Sequence, residues 1–294
     1  MTIFSTRLNA NKNWWNMAGL ITLTLLCFGS VPSVAIAGAN LMITPTRVVF
    51  DENMRTAQVT LINNGDETGD FRISFINQNM TADGKFEEVA EGEPGQYADS
   101  MVRYSPRQIT LPAGQSQVVR LMLRKPRELA SGEYRSHMLF QTLPKSSKSS
   151  IENMAKKDDN TISVEIIPIV GISIPVIIRH GKLESTLKLE NAQVIPANES
   201  NPVARINVEM RRSGNQSIYG DFRAIFTPAD GGAPVLIAMA NGVAVYTPNT
   251  LRRFSMPLNV SSGTALNKGS VRIIFLESGK DENNGLITET RLPL

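Results

Sequence analysis

The sequence predicts an all-β protein built from two antiparallel β-sandwich domains. Three observations carry this. Apolar and polar residues alternate with a period of two along most of the chain; the alternating stretches are short and bounded by turn residues; and no stretch carries a long apolar stripe at helical spacing. Many short strands without intervening helices pack as sandwiches, since each sheet must bury one face against another layer.

The chain opens on a different pattern. Arg7 and Lys12 precede the apolar run Leu20 to Phe28, and Ala35-Ile36-Ala37-Gly38 follows. A basic region, a short apolar core and an A-x-A site are the three parts of a secretory signal peptide, so residues 1–37 are expected to be removed. As a membrane anchor the run is short of the roughly 20 apolar residues a bilayer needs, and Ser30 and Pro32 interrupt it. Bulky Leu26 before Cys27 argues against lipoprotein processing.

Removing the leader changes the composition. Trp14, Trp15 and the single cysteine, Cys27, all lie within it, so the remaining chain has no tryptophan, thiol or disulfide. Taking Arg7 and Lys12 from the 30 basic residues leaves 28 against 27 acidic ones. That near-neutral balance is no nucleic-acid footprint. Residues 38–294 are long enough for two domains of ordinary size.

Strands follow in order. Ala57, Val59 and Leu61 alternate with Gln58 and Thr60; Phe71, Ile73 and Phe75 with Arg72 and Ser74; Val119, Leu121 and Leu123 with Arg120 and Met122. Beyond residue 180, Ile206, Val208 and Met210 alternate with Asn207 and Glu209, and Phe222, Ala224 and Phe226 with Arg223 and Ile225. Asn63-Asn64-Gly65-Asp66, Pro112-Ala113-Gly114 and Asp230-Gly231-Gly232 supply turns between them.

Two adjacent segments break the rhythm. Residues 145–161 are polar and rich in Ser and Lys, which reads as a long mobile loop. Ile162 to Ile178 is the most apolar stretch beyond the leader; as one strand it would be on the order of 56 Å long. Every even position in it is apolar, and Pro168 and Pro175 lack the N–H a central strand needs. One reading is an edge strand kept for addition to a partner. The other is a central strand buried on both faces, with the prolines at bulges. The domain boundary is placed just beyond it, giving domains at 38–180 and 181–294.

Residues 41–143 resemble the N-terminal domain of the periplasmic pilus-assembly chaperones of the chaperone–usher family. The matching pieces are Thr46-Arg47-Val48-Val49-Phe50, Asn63-Asn64-Gly65, Tyr104 to Ile109, the run Leu111 to Leu121 (LPAGQSQVVRL), and Glu133 to Phe140. Residues 183–294 are assigned from strand alternation alone. The resemblance implies two immunoglobulin-like sandwiches set at an angle around a cleft, and donor-strand complementation as mechanism. It implies fimbrial or pilin subunits and an outer-membrane usher as partners, a periplasmic location, and self-association through the donor strand when no subunit is bound.

Carried over residue by residue, the resemblance places Ile162, Val164, Ile166, Pro168 and Val170 in the donor positions. The odd apolar positions Ile167 and Ile169 are then expected to close the protein's own core. Arg47 matches the family's arginine that grips the subunit's terminal carboxylate; its plainer reading is a solvated strand arginine. The family's lysine partner falls on Pro175 or Ser173, neither of them charged, and Arg179 is the candidate replacement.

No enzyme is expected. Two histidines, His137 and His180, and no cysteine beyond the leader leave no His/Cys metal set, and no G-x-S-x-G elbow or phosphate-binding glycine loop occurs. No metal or cofactor is implied. The competing reading is a secreted sandwich protein with a structural role, such as an adhesin.

Overall fold

The computed structural model describes residues 40–90, 92–144, 169–199, 202–260, 266 and 268–294. The expected leader at 1–37 and loop at 145–161 lie outside the described residues, as do Ile162, Val164, Ile166, Ile167 and Pro168. The regular structure of the described residues is nearly all strand, and they fall within one compact unit, Ala39–Leu294. Among them no helix is long and apolar enough to cross a membrane.

Among the described residues eleven strands precede residue 181: β1 (Leu41–Thr44), β2 (Val48–Phe50), β3 (Thr56–Asn63), β4 (Gly69–Ile76), β5 (Gln78–Met80), β6 (Phe86–Glu88), β7 (Val102–Ser105), β8 (Gln108–Leu111), β9 (Ser116–Leu123), β10 (Gly132–Leu143) and β11 (Gly171–His180). The order β1-β3-β9-β7 forms one sheet, β2-β11-β10-β4-β8 the other, and β5-β6 is a separate hairpin. Such an order is that of an immunoglobulin-like sandwich. The chain changes sheet between β1 and β2 and again between β7 and β8; Pro45 and Pro106, which lack a ladder N–H, stand at these crossings.

Alternation translates directly into burial. Val59, Leu61, Phe71, Ile73, Val119 and Leu121 fill the core of this sandwich, and the polar residues between them lie outside it. Asn63 explains one of the turn motifs. Its side chain is fully buried, donates to the carbonyls of Glu67 (2.7 Å) and Leu111 (2.9 Å), and accepts from Gly65 N (3.0 Å). Its carbonyl takes Gly114 N, so one asparagine ties two turns together.

The stretch around β11 corrects one expectation, that Ile169 closes the protein's own core. Its even positions Ile174, Val176 and Ile178 are buried in the sandwich's own core, whereas odd-numbered Ile169 is 56% exposed and closes no core. The odd face looks the other way, and fully buried Ile177 packs with Met80, Ala244 and Tyr246. Among the described residues of this stretch, exposure therefore follows position along the strand and not parity alone. Val170 (59% exposed) and Ile172 (38%) share the parity of the core residues but lie past its end.

Among the described residues seven strands make the second sandwich: β12 (Ser185–Ile195), β13 (Arg205–Gly214), β14 (Ile218–Pro228), β15 (Val235–Val245), β16 (Leu251–Pro257), β17 (Gly269–Glu277) and β18 (Leu286–Pro293). They form sheets β12-β13-β16 and β15-β14-β17-β18 around a core that includes Val208, Phe222, Phe226 and Phe275. The β5-β6 hairpin of the first sandwich reaches across to it: Arg253 N donates to Ala82 O (2.6 Å) and Asn249 Nδ2 to Thr81 O (3.1 Å).

Candidate functional site

β11 lies between two strands at one end and pairs on one side only at the other. Residues 176–178 lie between strands, antiparallel to β10 and parallel to Val48–Phe50 of β2. Residues 171–175 pair with β10 alone, so among the described residues their other edge is open. Just before the strand, Val170 is still tied to β10's Thr142, whose N donates to Val170 O (2.9 Å) while its hydroxyl accepts from Val170 N (3.0 Å). Exposed Ile169, Val170 and Ile172 thus stand beside unpaired backbone, the combination that invites strand addition.

Arg47 marks the lower end of this edge, because it directly precedes β2 and β2 closes the edge from Val176 onward. Its guanidinium makes no hydrogen bond or ion pair with any described residue, and its Nε and one Nη are buried without an acceptor. Burial lowers its pKa, and the Arg179 cation adds to that shift. A guanidinium nonetheless stays charged in a protein. What touches it is aromatic: the Tyr219 ring centroid lies 4.2 Å from Cζ, the Tyr246 centroid 5.9 Å. A half-buried cation without an anion is costly, so the arrangement favours an incoming carboxylate with two parallel acceptors.

Arg179 is differently placed. Its Nε lies 3.2 Å from Oε2 of fully buried Glu133, and Asp51 is at 4.0 Å. Arg179 is thus already paired with a buried carboxylate of its own sandwich.

Three polar residues of β10, Glu133, Arg135 and His137, share the face opposite the core, and all three are buried. Arg135, 4% exposed, stacks on Tyr246 (4.5 Å) and donates to Thr247 O (3.3 Å), with its Nη1 3.4 Å from His137 Nε2. Burial, then the Arg135 cation, pushes the His137 pKa down to about 3, so the imidazole is neutral. Burial raises the Tyr246 phenol. Sequence reasoning missed Arg135, Tyr219 and Tyr246. The i, i+2, i+4 spacing of Glu133, Arg135 and His137 on one strand face was the available signal; for the tyrosines there was none. Among the described residues no group of three or more His, Cys, Asp or Glu side chains could hold a metal ion.

No family model and no curated protein matches the chain. Solved structures similar to it include the class 5 fimbriae chaperone CfaA, at 19% identity over 87% of this chain and 100% of that one, TM-score 0.40. A second is the CsuC–CsuE chaperone–tip adhesion subunit pre-assembly complex from the archaic chaperone–usher Csu pili of Acinetobacter baumannii (14%, 86% and 97%, TM-score 0.43). A third is the Salmonella enterica SafA pilin in complex with the SafB chaperone (14%, 88% and 99%, TM-score 0.40).

Proposed function

We propose that this protein is a periplasmic chaperone that captures fimbrial or pilin subunits by donor-strand complementation and hands them to an outer-membrane usher. It performs no catalysis; residues 38–180 act as the capturing domain and 181–294 as the second domain. The observation that carries the reading is the open β11 edge ending at an unpartnered Arg47. Polarity follows from this placement. A strand laid along residues 171–175 parallel to β11 brings its carboxyl end to Arg47; an antiparallel one brings its amino end toward a cation. The site therefore selects a parallel strand that terminates there in a carboxylate. Val170, with Ile162, Val164, Ile166 and Pro168 before it, supplies apolar side chains to a groove in the subunit, each worth about 1.5–3 kcal/mol when fully buried. Arg47 anchors the terminus, and Arg179 supports the junction beside it.

Co-expressing the tagged protein with a fimbrial subunit of the same cell tests this. The expected result is a soluble one-to-one complex that Arg47→Ala sharply weakens without unfolding the protein, since losing one partner of a desolvated charge pair costs about 2–5 kcal/mol. A subunit equally soluble without the protein, or captured equally by Arg47→Ala, overturns the reading. A structural adhesin would give the first of those results.

A further inference from the structure

The anchor and the residue that aims it come from different sandwiches. Arg47 belongs to the first, at the start of β2; Tyr219, whose ring it stacks on at 4.2 Å, lies on β14 of the second. No hydrogen bond or ion pair from any described residue fixes the guanidinium, and an arginine side chain left alone samples many rotamers. The aromatic face is its principal restraint. Tyr219 is itself held in place, paired across the ladder with buried Ala244, which packs against Ile177 of β11 together with Tyr246. A guanidinium on an aromatic face keeps its in-plane N–H groups free to point at an acceptor, as two-pronged carboxylate binding requires.

We infer that Tyr219 is a positioning residue for capture: it preorganises Arg47 for the partner's terminal carboxylate, making the second sandwich part of the binding site. This rests on the reading of Arg47 as the carboxylate anchor. Preorganisation contributes to affinity by removing the ordering cost at the moment of binding. Without the ring, Arg47 still reaches a carboxylate but must be ordered to do so, and the loss falls on carboxylate recognition rather than on strand pairing.

The test uses the full protein and a peptide of a subunit's C-terminal strand made in two forms, with a free carboxylate and with an amide. The readout is the ratio of the two dissociation constants, in which general loss of stability or of strand pairing cancels. The wild type should prefer the acid. Tyr219→Leu should lower that preference by about 3- to 30-fold, the range a cation–π contact spans. Tyr219→Phe, which keeps the ring, should retain it; Tyr219→Met gives the same reading as leucine if the leucine variant does not fold. An unchanged ratio in a folded ring-less variant, with both peptides weakened alike or not at all, overturns the inference and leaves the anchor reading intact. A wild type without acid preference overturns the anchor reading itself, a result distinct from the first.

Discussion

Glu133 on β10 and Ser217 at the entrance to β14 meet in a buried contact between the two sandwiches. One carboxylate oxygen accepts from Ser217 N (3.2 Å) and from Arg179 Nε (3.2 Å), and the other from the Ser217 hydroxyl. The same hydroxyl accepts from Thr247 N (2.9 Å), so a single acidic side chain organises two segments of the second sandwich.

Glu133→Ala is expected to destabilise the protein by about 3 kcal/mol, because it leaves Arg179 without its buried counter-ion and Ser217 N without an acceptor. Loss of this junction should also separate the unfolding of the two sandwiches, seen as non-coincident transitions by different probes in urea. Glu133→Gln, which keeps an acceptor, should cost less. A single transition with an unchanged midpoint in Glu133→Ala would show that the contact does not couple the sandwiches.

Substitutions along β11 should sort by position and not by parity. Ile172→Asp, beside the open edge, is expected to leave the melting temperature nearly unchanged while abolishing subunit capture. Ile174→Asp, two residues on and on the same face, places a carboxylate in the core and should cost several kcal/mol, of order 3–5. Equal destabilisation by both would mean that the edge is covered in the free protein.

His137 gives a pH dependence with a definite sign. The folded imidazole resists protonation down to about pH 3, whereas the unfolded one takes a proton near its ordinary value of about 6.5. Between these values the unfolded state binds more protons, so stability falls as pH drops from about 6.5 to about 3. From pH 7 to pH 5 this group alone removes about 2 kcal/mol. His137→Gln, whatever its stability at pH 7, should lose that part of the slope in urea titrations at the two pH values; an identical slope would show that His137 does not titrate on unfolding.

Much of the sandwich architecture is legible in residue order, because a strand with one face buried must alternate. Ala57 to Leu61 and Phe222 to Phe226 fall into place on that ground alone. The fate of β11 is not legible in the same way. Whether Ile172 and Ile174 are exposed or buried depends on how far along β11 the sandwich core extends, a long-range placement that local pattern does not encode. The surroundings of Arg135 and Tyr219 depend on a long-range placement of the same kind. A charged residue on a strand reads as solvated, and only the approach of the second sandwich converts that face into an interior.

The short reach of β2 has one more consequence. Because Val48 already occupies the place beside Val176, any strand added along residues 171–175 meets a fixed stop. In a complex of the proposed kind the chaperone is then a length standard: it reads its client by counting back from the last residue. One residue added to a client's terminus would shift the whole strand by a single step, and a single step turns every side chain to the opposite face.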